Sequence, residues 1–262
     1  MTDVIDQLFS VDGKVTVITG GSRGIGKMFA KGFVMAGAKV YIVARKEAAV
    51  TATAEELSEL GTCIPLTGDL GSKAGADAVA AEIASREPKV DVLINNAGAI
   101  WQAPLEDYPD SAWDKLWNIN VKGVFYLTVA LLPQLRAAAS PDSPARVINL
   151  GSVDADQVPS WETYAYAASK AGVHMLTRHL GHQLASEHIT VNGIVPGPFQ
   201  SNMTTGVLDT EGPREELLSR VALGREGTWE DAAGVAIFLA SRAGSFLTGA
   251  LIPMDGGMST HH

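Results

Sequence analysis

Two kinds of hydrophobic run alternate along this chain from one end to the other. Seven are short, rich in β-branched residues and nearly continuous in apolar character: Lys14–Thr19, Lys39–Ala44, Thr62–Leu66, Val90–Asn95, Ala145–Gly151, Ile189–Val195 and Ala250–Met254. A strand with apolar side chains on both faces must be covered on both, so these runs predict strands buried inside a parallel sheet. Longer stretches with helical spacing lie between them: Gly24–Ala36, Glu47–Leu60, Ser72–Ser85, Ser111–Ala139, Thr163–Glu187 and Trp229–Ala240. Such alternation predicts right-handed crossovers and an α/β doubly wound parallel sheet of about seven strands, with helices on both faces.

The rhythm is unbroken, so residues 1–262 are expected to form a single domain. One segment departs from it. Residues 198–228 are polar, carry Gly206, Gly212 and Pro213, and connect the last two strand–helix units. Long connections inside compact domains are more often functional than incidental, which predicts a substrate lid with one short helix at Pro213–Val221.

Composition narrows the setting. A net charge of −9, with no run of Lys and Arg, argues against a nucleic-acid or anionic-membrane surface. The longest apolar stretch, Gly123–Leu132, is about half a membrane span. Residues 1–10 carry Asp3 and Asp6 and no basic or apolar leader pattern, so a cytoplasmic location is expected. The single cysteine, Cys63, excludes an intrachain disulfide, has no His or Cys at ligand spacing, and reads as a small strand residue. No metal site is expected.

The first strand runs into Thr19-Gly20-Gly21-Ser22-Arg23-Gly24-Ile25-Gly26 and then directly into a helical pattern. Glycines at 20, 24 and 26 allow a tight turn and close approach of a ligand, while the helix N-terminus offers free N–H groups to a pyrophosphate. The spacing departs from G-x-G-x-x-G, because position 29 is Phe. An acid at the end of the second strand would select NAD through the adenosine ribose. Here the chain reads Val43-Ala44-Arg45-Lys46. Arg45, with Arg23 in the glycine turn, suits a 2′-phosphate instead, so NADP(H) is the predicted cofactor.

Thr19–Gly26, Asn95-Asn96-Ala97-Gly98, Asn120, Ser152, Tyr166-x-x-x-Lys170 and Pro196-Gly197 together resemble the short-chain dehydrogenase/reductase family, whose members have a Rossmann fold. The similarity extends over essentially the whole chain. Within the family the stretch from Thr19 to Ser201 is most similar to the 3-oxoacyl (β-ketoacyl) reductases, including the type linked to rhamnolipid biosynthesis. The resemblance implies that Ser22 and Ile25 join the glycine turn at the cofactor and that Asp69 and Leu70 meet adenine. It further implies that Asn96, Ala97 and Gly98 pack on the adenine-ribose side, that Pro196 and Gly197 back the nicotinamide, and that Ser201 holds its carboxamide. By the same resemblance Lys170 touches the nicotinamide ribose and Asn120 supports a water chain.

The chemistry of the centre is also readable from the residues. Tyr166 and Lys170 are four apart in a helical pattern and share a face. A phenol of ordinary pKa near 10 is a poor acid–base group at neutral pH, and an adjacent ammonium is expected to lower it. Ser152 would donate to the substrate oxygen while Tyr166 protonates the alkoxide that forms as hydride arrives, or takes the proton in reverse. Tyr164 has Ala168 at i+4 and no lysine, so it reads as packing or a pocket wall; Ser169 reads as helix packing, and nothing in the spacing of Lys122 or His174 demands chemistry.

The loop before Tyr166 carries Asp154, Asp156, Trp161 and Glu162, an acidic rim poorly suited to docking an acidic carrier protein. Three functions stay open at this point. The first is NADPH-dependent reduction of a ketone, 3-oxoacyl or related. The second is oxidation of a secondary alcohol, such as a sugar or steroid; the third is a non-catalytic NADP-binding regulator, for which the intact Ser152, Tyr166 and Lys170 have no use. The two longest helical patterns, Trp113–Ala139 and Thr163–Glu187, are apolar beyond one stripe. With the resemblance, that predicts a dimer at least and a homotetramer of D2 symmetry as the expected form.

Overall fold

The structure, a computed structural model, describes residues 4–201 and 203–260; residues 1–3, 202 and 261–262, including one position of the expected lid, lie outside the described residues. Seven strands form one parallel sheet: β1 (Val15–Thr19), β2 (Lys39–Ala44), β3 (Cys63–Thr67), β4 (Val92–Asn95), β5 (Ala145–Leu150), β6 (Ile189–Pro196) and β7 (Leu251–Met254). Their order is β3-β2-β1-β4-β5-β6-β7. The order reverses between β1 and β4, where a crevice opens at the carboxyl ends of the strands, the place at which open α/β sheets bind ligands.

Alternation of side chains along each strand builds two cores. Ile18, Ile42, Ile94 and Ile148 face one side, while Val17, Tyr41, Leu93 and Val147 face the other. A short helix α1 (Val4–Phe9), which the sequence pattern did not suggest, precedes β1. The first face is covered by α2 (Gly24–Met35) and α3 (Glu47–Ser58), and the second by α4 (Lys73–Arg86).

The single helix expected over 111–139 is instead divided. It runs as α5 (Asp110–Trp117), one π turn (Asn118–Lys122), α6 (Gly123–Ala130) and α7 (Leu132–Ala138). The second break has a plain cause. Pro133 lacks an N–H and would collide with the preceding turn inside a helix, so it sits in the first turn of α7, where no N–H is required. At the first break, the wider π turn directs Asn120 into the protein, where it is fully buried and bonded on both sides of its amide. Gly123 follows because the Leu70 carbonyl would lie 2.5 Å from any β-carbon there.

The helix expected over 163–187 is one continuous element, α8 (Tyr164–Leu184), ended by a tight turn. The segment after β6 folds as α9 (Thr205–Leu208) and α10 (Glu211–Ser219) rather than as one helix from Pro213. Pro213 falls in the first turn of α10, which leaves room for the helix to begin two residues earlier. Both ends of this segment meet at one point: Gly227 donates its N–H to the Pro198 carbonyl at 2.9 Å, and the Phe199 ring fills the space beside Gly227. A capping box of Thr228 and Asp231 then starts α11 (Trp229–Ala240), which packs on α2 so closely that a β-carbon at Gly32 would fall 2.3 Å from that of Ala233.

Candidate active site

The turn after β1 is shaped by conformations that suit glycine. Gly20 (φ 67°) and Gly24 (φ 53°) lie in the left-handed region. Gly26 begins α2 pressed against the turn: a β-carbon there would come within 2.4 Å of the Asn96 side-chain amide and of the Gly20 carbonyl. The N-terminus of α2 has no side-chain cap, so its N–H groups face the crevice with a positive helix-dipole end.

Two residues tie this turn to the one after β4. The Thr19 hydroxyl accepts the backbone N–H groups of Asn96 and Ala97, both at 2.9 Å, and the Asn96 side chain donates to the carbonyls of Thr19 (2.8 Å) and Gly20 (3.2 Å). Deeper in the sheet Asn95 donates to Asn149, and Asn149 to Thr177 of α8, a buried polar line from β4 to the helix that carries the tyrosine. Arg23 and Arg45 flank the glycine turn, exposed, and neither makes an ion pair among the described residues. Leu70 is buried beyond β3, beside Asp69, whose carboxylate accepts the Gly71 N–H.

At the carboxyl end of β5 the chain brings the predicted centre together. The Lys170 ammonium donates to the carbonyl of Leu150, the last residue of β5, at 2.7 Å and lies 5.7 Å from the centre of the Tyr166 ring. Ser152 sits two residues beyond the strand, lining the same cleft as the Tyr166 phenol, and its hydroxyl accepts the Asp154 N–H at 3.2 Å. Asn120 accepts the Ala99 N–H, donates to the Ala99 carbonyl and donates to the Ser169 hydroxyl at 2.9 Å; Ser169 in turn donates to the Tyr166 carbonyl at 2.7 Å. Gly98 closes the group, with room for a β-carbon only 3.1 Å from the Asn120 oxygen.

Electrostatics here are ruled by burial. Loss of water pushes the Tyr166 phenol up to about 12, partly offset by the Ser152 hydrogen bond and reinforced by the Asp154 charge. Burial also pulls the Lys170 ammonium down to about 8, against the attraction of Asp154. The phenol is therefore raised in the free protein, not lowered as its spacing from Lys170 leads one to expect, and burial is the main cause. Tyr166 is held as a phenol.

A cleft of about 130 Å³ opens in front of Tyr166 and Ser152. Ile25, Pro196, Gly197 and Ser201 line it on the glycine-turn side, and Asp154, Trp161 and Arg220 on the other. Ser201 stands against Gly24, and Gly197 against Asp255, each too close for a larger neighbour. A model for the family described as Enoyl-(Acyl carrier protein) reductase matches residues 20–259. The chain belongs to the short-chain dehydrogenase/reductase family.

Relatives within this family are close and span the whole chain. The rhamnolipids biosynthesis 3-oxoacyl-[acyl-carrier-protein] reductase of Pseudomonas aeruginosa is 45% identical over 249 residues, 95% of this chain and 97% of the relative. The 2-dehydro-3-deoxy-D-gluconate 5-dehydrogenase of Escherichia coli is 34% identical over 95% of this chain and 96% of its own. Among solved structures, the Pseudomonas aeruginosa RhlG/NADP active-site complex superposes with a TM-score of 0.94 at 44% identity, covering 97% of this chain and 99% of that one. A gluconate 5-dehydrogenase from Burkholderia cenocepacia in complex with NADP and tartrate gives 0.91 at 31% identity, covering 99% and 100%.

Among short-chain dehydrogenase/reductase positions, Ser152 and Tyr166 face the cleft directly, whereas Lys170 and Asn120 stand behind them. Arg45 follows β2 and Asp69 follows β3, at the carboxyl ends of the two strands on the other side of β1. Tyr164 is packed edge-on against Tyr108, with ring centres 5.3 Å apart, and takes no place in the cleft. Ser169, read as helix packing, is fully buried, and its hydroxyl also accepts from Asn120, a contact that local spacing does not show. Sequence reasoning missed Arg220, which nothing in the local pattern distinguishes from other lid charges.

Thr19→Val tests the tie between the two turns. It keeps the side-chain shape and leaves two backbone N–H groups without their acceptor, so we expect a loss of about 2 kcal/mol of stability. The urea midpoint of unfolding should fall with no change in slope; a wild-type midpoint would show that the hydroxyl does not hold the turns.

Proposed function

We propose that this protein is an NADPH-dependent reductase that transfers hydride to a ketone, 3-oxoacyl or related, with Tyr166 as proton donor. The observation that carries this reading is the buried Ser152–Tyr166–Lys170 cluster facing a cleft that continues into a glycine-turn crevice. Relatives bound to NADP and named as 3-oxoacyl and sugar-acid oxidoreductases support it.

The crevice fits such a cofactor. Gly20, Gly24 and Gly26, with Ser22 and Ile25, offer backbone N–H groups and an uncapped helix end to a pyrophosphate, and unpaired Arg23 and Arg45 suit a 2′-phosphate. Asn96, Ala97, Gly98, Asp69 and Leu70 would flank the adenosine, and Pro196, Gly197 and Ser201 the nicotinamide. When bound, the reduced cofactor supplies the hydride. Ser152 holds the substrate oxygen, Tyr166 gives it a proton as the carbonyl becomes an alkoxide, and Lys170 stabilises the phenolate left behind. Asn120, fixed by Ala99 and Ser169, orders the route by which that proton is replaced. Residues 198–228 act as the lid, hinged where Phe199 meets Gly227.

A second reading, oxidation of a secondary alcohol, is favoured by the sugar-acid dehydrogenases among the relatives. It uses the same residues with the proton moving the other way. The protein acts on a small molecule in the cytoplasm; no described helix is long and apolar enough to cross a membrane. We also assign it a homotetramer. Trp113, Trp117, Phe125, Val129 and Met175 expose 40–61% of their surface along α5, α6 and α8, apolar area that a symmetry-related copy would cover.

Tyr166→Phe is expected to lower ketone reduction, followed by NADPH absorbance, at least about a hundredfold while leaving NADPH affinity unchanged. Lys170→Ala should damage both. Substantial activity in Tyr166→Phe would contradict the mechanism.

Arg45→Asp should erase a wild-type preference for NADP over NAD of about tenfold or more, read by calorimetric titration of each cofactor. Equal wild-type affinities would contradict the 2′-phosphate assignment. In light scattering at micromolar concentration the chain should run at about four times its 27.5 kDa mass, and a clean monomer would overturn the assembly.

A further inference from the structure

The lid carries three arginines, and two of them are paired: Arg214 with Glu226 at 3.3 Å, and Arg225 with Asp231 through both carboxylate oxygens. Arg220, just past the end of α10, is different. It lines the cleft opposite Tyr166, is half-buried, and makes no ion pair among the described residues. One N–H donates to the Ser160 hydroxyl at 2.9 Å, which leaves most of a five-donor guanidinium uncommitted.

Its surroundings give that cation influence. Leu217 and Met258, beside it in the cleft wall, are apolar and do not screen it. Asp154 is the one carboxylate lining the cleft among the described residues; it feels the charges of Arg220 and Lys170 and forms an ion pair with neither. Arg220 is thus the one cation lining the cleft among the described residues, in a protein whose overall charge is −9. A guanidinium matches a carboxylate through two parallel hydrogen bonds, which a neutral ester or thioester cannot reproduce.

We propose that Arg220 receives a free carboxylate on the substrate, so that the cleft selects oxo acids over the corresponding esters and thioesters. The assignment rests on the ketone-reductase reading of the same cleft and adds the chemical class of its substrate. Carbonyl reduction takes place at Ser152 and Tyr166, and Arg220, in the wall of the same cleft, holds the carboxylate. Arg220 is a specificity residue, since it touches the substrate away from the reacting carbon.

The test uses the full chain saturated with NADP⁺, which cannot reduce a ketone, so that binding is read without turnover. Calorimetric titration with 3-oxohexanoate and with ethyl 3-oxohexanoate should show the acid binding about tenfold or more tightly. Arg220→Gln should bring the acid down to the affinity of the ester, Arg220→Lys should restore part of the difference, and Ser160→Ala should leave the preference in place. Equal affinities in the wild type, undetectable binding of the acid, or an Arg220→Gln variant that weakens both probes alike would overturn the proposal. Turnover of the same probes with NADPH is followed separately. Acid preference in binding without reduction of either probe upholds the role of Arg220 and counts against the reductase reading. Reduction of both probes without acid preference does the reverse.

Discussion

The hydrogen bond from the Lys170 ammonium to the Leu150 carbonyl is the constraint on which this site depends. It joins the longest helix, α8, to the carboxyl end of a central strand, and it does so through a buried charge. An ammonium taken out of water is costly unless hydrogen bonds replace its hydration. The protein meets part of that cost with one backbone carbonyl and the more distant Asp154, and the remainder appears as the fall of the ammonium to about 8. Because the helix is pinned at Lys170, Tyr166 one turn earlier is fixed beside Ser152, and Ser169 is fixed under Asn120.

The same argument explains why the site is built from both sides of the sheet reversal. Thr19 and Asn96 lock the β1 and β4 turns together, and the Asn95–Asn149–Thr177 line carries that alignment to α8. A buried polar line of this kind is stable only when its groups are satisfied, and so it fixes strand register as well as joining elements. The crevice and the Ser152–Tyr166–Lys170 cluster are thereby held in one frame.

Much of this was legible in the chain. Seven buried strands announced themselves as short apolar runs, and observed boundaries differ from expected ones by no more than two residues because Gly, Asn and charged residues punctuate each run. Tyr166 and Lys170 were readable from the family resemblance, and helical spacing put both on one face. What was not legible depends on contacts between distant segments. A π turn at Asn118–Lys122 follows from what Asn120 finds at Ala99 and Ser169, and local propensity contains no trace of it. The direction of the Tyr166 shift was misjudged for a related reason: spacing shows that a lysine is near, whereas the degree of burial, which decides the balance, is set by the whole fold. The break at Pro133 had a local signal, which reading Ser111–Ala139 as one apolar helical stretch passed over.

The central claim is that burial holds Tyr166 as a phenol in the free protein, ready to give its proton. It is tested most directly by the ultraviolet absorbance of tyrosinate, recorded against pH for the wild type and subtracted from that of Tyr166→Phe. The account predicts no ionisation assignable to Tyr166 up to pH 10, since desolvation places the phenol at about 12. A phenolate that forms between pH 6 and 8 and vanishes in Tyr166→Phe would contradict it, and would show that the Lys170 charge, rather than burial, governs the group.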